Sequence, residues 1–248
     1  MIHYTVQGSG EPLVLIHGFP NDSTAWDAIV PELSKRYRLI LPDLPGAGKS
    51  PLPETPPSME LLANAVKAVL DQEGIGKAVF IGHSMGGYTA MQIASMYPEM
   101  VQGISLVHSL ASADNAEKKE NRRKAILLMK KGPAEKEMFL KGMSQNLFAP
   151  QYAAQHPDVV KEVVAKGMKL SSEALASFYQ AIMDRSDKKD VLERATWPVQ
   201  WIIGDHDNAT PMKEALEQCH LSAVSSVSVY KPCGHMSFLE MPGRLITD

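Results

Sequence analysis

At 248 residues the chain can bury one sizeable core, and a single α/β domain carrying an insertion fits that length better than two equal domains. A formal net charge of −3, from 25 Lys and Arg against 28 Asp and Glu, gives no general electrostatic case for nucleic acid or an anionic membrane surface. Cys219 and Cys233 are too few for a disulfide framework, no secretory leader pattern opens the chain, and no apolar run approaches a membrane span, so a soluble, cytoplasmic protein with reduced thiols is expected.

Met1–Gln7 alternates as a strand does, and Gly8-Ser9-Gly10 turns the chain into Leu13-Val14-Leu15-Ile16, a buried-strand run that ends in His17-Gly18-Phe19-Pro20. A strand near 38–41 precedes Asp43-Leu44-Pro45-Gly46-Ala47-Gly48-Lys49-Ser50. That segment looks like the end of a phosphate-binding loop, but the position requiring the first glycine is Asp43, and nucleotide binding is rejected on that ground. Pro51–Pro57 is stiffened against helix by its prolines. From Ser58 as cap, Leu61, Leu62, Ala65, Val66, Val69 and Leu70 form the apolar stripe of a helix that Gly74 ends. The run Ala78–Ile81 then enters Gly82-His83-Ser84-Met85-Gly86 and a helical segment, Tyr88–Tyr97. In that strand–turn–helix setting G-x-S-x-G reads as a nucleophile elbow, a turn tight enough to admit only small residues two positions either side of the serine.

Another strand is expected near 103–107, after which strand-like runs vanish from about 111 to 195 and helices follow one another. Val159, Val160, Val163, Val164 and Met168 make one stripe behind Pro157-Asp158; Leu175, Phe178, Tyr179, Ile182 and Met183 make another, with Ser172 available as its cap. Lys118, Lys119, Arg122, Arg123, Lys124, Lys130 and Lys131 make the early insertion basic, as a solvated helix face or as a preference for anionic substrates. Met129, Met138, Met143, Met168 and Met183 fit either a deformable pocket roof or ordinary packing. Strand character resumes at Val199–Ile203, ending in Gly204-Asp205-His206-Asp207, and again over Val224–Tyr230 before Gly234-His235. Strands alternating with helices imply a mostly parallel sheet flanked by helices. Residues 1–110 and 196–248 are read as its core and 111–195 as a helical cap over the sheet's carboxyl edge.

Serine, acid and histidine thus come in that order, each at the carboxyl end of an expected strand, where catalytic groups of open α/β sheets collect. The chain resembles the α/β-hydrolase family over nearly its whole length. His17-Gly18-Phe19 is similar to the family's oxyanion loop, Asp43–Ser50 to its D-x-P-G-x-G-x-S turn, and Gly82–Gly87 to its elbow. Gly204–Asp207 is similar to its G-x-x-D acid turn and Gly234-His235 to its histidine loop. The resemblance implies an α/β-hydrolase fold and a serine hydrolase cleaving carboxylic esters of small molecules through an acyl-enzyme. Ser84 would be the nucleophile, His235 the base and Asp207 its orienter, with the backbone N–H groups of Phe19 and Met85 as the oxyanion hole. The side chains of Phe19 and Met85 are the candidate substrate contacts.

Asp205, two residues before Asp207, competes for the acid role and is expected to satisfy turn amides; Asp114 is a third candidate. His17 and His83 read as loop support, and His108, His206 and His220 have no motif behind them. No cofactor is expected, and no cluster of His, Cys and carboxylates has metal-ligand spacing. The same frame serves cofactor-free haloperoxidases and perhydrolases, enol-lactonases, carbon–carbon bond hydrolases and hydrolase-like receptors, and the residues leave these open. Dehalogenases and epoxide hydrolases are disfavoured because their nucleophile is an aspartate. Members usually close with a helix after the histidine loop, and Met241–Asp248 is expected to begin one; oligomeric state stays open.

Overall fold

Apolar runs without a polar alternation make strands that are covered on both faces, and such strands pair in parallel. The computed structural model, which describes residues 1–248, has seven strands in one sheet. They are β1 (Tyr4–Gln7), β2 (Glu11–Ile16), β3 (Tyr37–Pro42), β4 (Ala78–His83), β5 (Val101–Val107), β6 (Val199–Gly204) and β7 (Ser225–Tyr230). Their order across the sheet is β1-β3-β2-β4-β5-β6-β7, with β1 antiparallel to β3 and every other pairing parallel. Both faces of β2 are buried: Val14 and Ile16 join the apolar core on one side of the sheet, Leu13 and Leu15 the one on the other.

The helices between strands are α1 (Val30–Leu33), α2 (Met59–Gln72) and α3 (Met85–Met96). Ser58 caps α2, its hydroxyl accepting from the Leu61 amide at 3.1 Å, and the stripe of Leu62, Val66, Val69 and Leu70 is buried as its spacing requires. Between β5 and β6 come α4 (Ala116–Lys131), α5 (Pro133–Asn146), α6 (Pro150–Gln155), α7 (Pro157–Lys169), α8 (Ser172–Asp184) and α9 (Lys189–Glu193). The cap of α8 is Ser171, accepting from the Ala174 amide at 3.0 Å, not Ser172, which is the first helical residue. The chain finishes with α10 (Met212–Leu216), α11 (Ser237–Glu240) and α12 (Pro242–Thr247), the last lying where a closing helix was expected to begin.

The inserted helices reach the loops at the sheet's carboxyl edge. Phe178 and Tyr179 of α8 pack on Phe19 with ring centroids 6.5 and 4.6 Å away, and the backbone of Leu147 accepts from the His235 amide at 2.6 Å. Arg185 ties the end of the insertion to its start, donating from Nε and Nη2 to the Ser112 carbonyl at 3.2 and 3.0 Å. No helix is long and apolar enough to cross a membrane.

Candidate active site

The elbow follows from packing at glycine. A Cβ at Gly86 would stand 2.0 Å from the Ile16 carbonyl oxygen, so only glycine lets the first turn of α3 sit on the end of β2. Between β4 and α3, Ser84 adopts φ 51° and ψ −114°, a left-handed conformation that costs a non-glycine residue about 1–3 kcal/mol. Its amide donates to Val107 O at 3.0 Å and its carbonyl accepts from Ser109 Oγ at 2.8 Å, so β5 holds the strained turn in place. Gly18 lies flat against this turn: a Cβ there would meet Ser84 Cβ at 3.0 Å and His83 Nδ1 at 2.6 Å. The loop carrying the Phe19 amide therefore touches the serine. His17 braces that loop, its Nε2 accepting from the Leu44 amide and its Nδ1 donating to Gly18 O, both at 3.0 Å. Burial lowers the His17 pKa and keeps it in this neutral form.

Two strands along the sheet, β6 delivers Asp207, and β7 delivers His235. His235 Nδ1 donates to Asp207 Oδ2 at 2.8 Å, with 2% and 1% of the two side chains exposed. Asp207 Oδ1 accepts from the amides of Ala209 and Thr210 at 2.9 and 2.8 Å, and Oδ2 also accepts from Thr210 Oγ1 at 2.7 Å. Burial pushes the Asp207 pKa up, but the neighbouring His235 and the hydrogen bonds from His108 and His235 outweigh it and hold the carboxyl well below the usual range. An ionised carboxylate only accepts, which assigns the proton of His235 to Nδ1 and leaves Nε2 as an acceptor. Ser84 Oγ and His235 Nε2 make no hydrogen bond to each other in this state. Such bonds in free enzymes are commonly long and tighten around substrate.

The other acidic candidates separate. Asp205 accepts from the Cys233 amide at 3.0 Å and pairs with the exposed His206, a turn-holding role. Asp114 is bound between Arg122 and Arg185, at 2.5 and 3.0 Å, away from His235. Phe19 is buried under α8, and Met85 is fully buried at the start of α3.

Two residues were not anticipated. His108, placed among the histidines without a motif, follows β5 with φ 49° and donates from Nδ1 to the same Asp207 Oδ2 at 3.1 Å. Burial lowers its pKa against the pull of Asp207, so it is a neutral donor. His108, Asp207 and His235 bring three potential metal-ligand atoms within 4.8 Å of one another, a grouping that linear spacing did not reveal. Hydrogen bonding accounts for each contact; a zinc ion would need both Nδ1 protons removed and bonds of about 2.0–2.2 Å. Glu240, on α11, accepts from the amides of Gly234 at 3.0 Å and Met236 at 3.1 Å, either side of His235, and from Ala149 of the insertion at 2.9 Å. His83 completes the cluster, donating from Nε2 to the His235 carbonyl at 2.8 Å.

A sequence model described as alpha/beta hydrolase fold matches residues 11–145. Over 251 residues the chain is 27% identical to the pimeloyl-[acyl-carrier protein] methyl ester esterase of Nitrosomonas europaea, covering 99% of this chain and 97% of that one. A solved structure of a thermophilic esterase from Thermogutta terrifontis superposes with a TM-score of 0.92 at 29% identity, covering 99% of this chain and 90% of the other. The enol-lactonase from Burkholderia xenovorans LB400 superposes with a TM-score of 0.90 at 24% identity, covering 99% and 94%, a likeness of fold.

Proposed function

The chain belongs to the α/β-hydrolase family, and on that premise we propose that it is a serine hydrolase cleaving carboxylic ester bonds of small molecules. The observation that carries this reading is the buried His235–Asp207 bond, formed at strand ends next to a strained elbow serine. Ser84 Oγ attacks the acyl carbonyl as His235 Nε2 takes its proton, and Asp207 stabilises the imidazolium that results. The tetrahedral oxyanion lies against the amides of Phe19 and Met85, each such donor being worth about 3–4 kcal/mol in the transition state. His235 then gives its proton to the leaving alcohol. A water deprotonated by the same Nε2 attacks the acyl-enzyme, releasing the acid and restoring the serine. The elbow places Ser84 at the head of α3, whose amides and dipole favour the developing negative charge.

Turnover of p-nitrophenyl acetate and butyrate, with fluorophosphonate labelling of Ser84, tests the reading. Ser84→Ala and His235→Ala should each lower kcat by about 10⁴-fold or more, and not additively. Near-full turnover by folded Ser84→Ala would overturn the assignment. Labelling without turnover of any small ester would point instead to a receptor that keeps the frame.

A further inference from the structure

The basic residues that open the insertion do not share one environment. Arg123, Lys124, Lys130 and Lys131 are exposed, and Lys118 is clasped by both carboxylate oxygens of Glu214 at 2.7 and 2.9 Å. Arg122 turns inward instead, with 19% of its side chain exposed, its Nε donating to Asp114 and its guanidinium 5.0 Å from the centre of the Tyr179 ring. Asp114 is already paired with Arg185, so two guanidiniums surround one buried carboxylate and one positive charge is left over. Arg185 directs all its donor nitrogens inward, to Ser112 O, Ile182 O and Asp114. Arg122 donates only through Nε, so the surplus charge is presented by its two terminal nitrogens.

Arg122 lines a cleft of about 640 Å³ whose walls include Phe139, Met143, Leu147, Tyr179 and Asn208. The cleft abuts the candidate catalytic residues. Asn208 follows Asp207 directly, the Leu147 carbonyl binds the His235 amide, and Tyr179 packs between Arg122 and Phe19. A cleft with apolar side chains on part of its wall, adjoining the residues that flank Asp207 and His235 and holding a guanidinium with two free nitrogens, matches a short acyl chain with a terminal anion. A planar fork of N–H donors fits a carboxylate best.

We propose that the ester hydrolysed here carries a second, free carboxylate that binds Arg122, as in a half-ester of a short dicarboxylic acid. The proposal rests on the esterase reading for its chemistry but not for the binding site. Monomethyl adipate and methyl hexanoate, equal in acyl length, provide the test. The wild type should favour the half-ester in kcat/KM by about tenfold or more, as expected for a charge-assisted pair. Arg122→Gln should erase that ratio, and Arg122→Lys should retain part of it. Raising salt should increase KM for the half-ester and leave that for methyl hexanoate in place. Calorimetric titration of the Ser84→Ala protein with monomethyl adipate reads binding without turnover. Binding that depends on Arg122, with no hydrolysis of either ester by the wild type, would keep Arg122 as the carboxylate site and sink the esterase reading. Hydrolysis of both esters at equal kcat/KM, or a ratio unchanged in Arg122→Gln, would overturn the proposal and leave the esterase intact. If Arg122→Gln does not fold, the salt test on the wild type decides: equal responses of the two esters overturn it.

Discussion

Asp43 and Asp207 end strands that lie two places to either side of β4, and they are bonded almost alike. Asp43 accepts from the amides of Ser23 and Lys49, each at 2.9 Å, and pairs with His3 Nδ1 at 2.9 Å. Asp207 accepts from the amides of Ala209 and Thr210 and pairs with His235. Burial raises both pKa values and is outweighed in both, by backbone amides at Asp43 and foremost by His235 at Asp207, so each carboxyl lies below its ordinary range. The difference lies beyond the imidazole. His3 is 31% exposed at the antiparallel margin of the sheet, whereas His235 is enclosed with its ring 4.8 Å from that of His83, the residue before the elbow serine. A carboxylate–imidazole pair is thus common structural currency in this molecule, and what the second nitrogen faces decides its chemistry.

The largest expected effect sharpens that contrast. Asp207→Asn should lower kcat by about 10⁴-fold with the fold retained, because the tautomer of His235 is no longer enforced. Asp43→Asn should leave kcat within about tenfold and appear instead as about 1–3 kcal/mol of lost stability in urea titration. Equal losses of kcat in the two variants would break the comparison.

A smaller effect is expected at Glu240, which touches no reacting atom on this reading and holds the amides flanking His235. Glu240→Ala should lower kcat by about 10–100-fold, since an ångström of misplacement costs about that much. Glu240→Gln, keeping one acceptor oxygen, should recover part of it. An unaltered kcat in Glu240→Ala, in protein with a reduced melting temperature, would make the residue purely structural.

The smallest effect is on stability against pH. Burial lowers the pKa of His83 and of His108, while the unfolded chain protonates each near about 6.5. Between the lowered and the unfolded values the unfolded chain binds more protons, so stability is complete above about pH 6.5 and declines as pH falls through that window. Each histidine can contribute at most about 1.4 kcal/mol per pH unit. Asp207, depressed the other side of its unfolded value of about 3.9, adds nothing to the slope between pH 5 and about 7. Urea midpoints at pH 7.5 and about 5.5 should differ in the wild type, and the difference should shrink in the His83→Gln, His108→Gln protein, the remainder coming from the buried His17, whose pKa is also lowered. An identical shift in that double variant would refute the assignment.

The strands, α2 and the elbow were legible because each announces itself locally, by an apolar run, a capping serine or a set of small residues. The same holds for the turns carrying Asp207 and His235. His108 was not legible as a partner of Asp207, because its neighbour is set by β5 lying beside β6 with six helices inserted between them in sequence. Its one signal is its place directly after a buried strand. The adjacent Ser171 and Ser172 are chemically equivalent as caps, and only backbone geometry distinguishes them. Arg122 looked like its basic neighbours because the groups that sort them, Asp114, Arg185 and Glu214, come from outside its helix.

The carboxylate of Glu240 grips the histidine loop and the start of α6 at once, and the Leu147 carbonyl holds the amide of His235 itself. The insertion is thereby moored at residues 147–149 to the loop that carries His235. Displacing residues 147–149 would therefore strain the loop that sets the 2.8 Å bond between His235 and Asp207, so the position of that imidazole is coupled to the packing of the insertion.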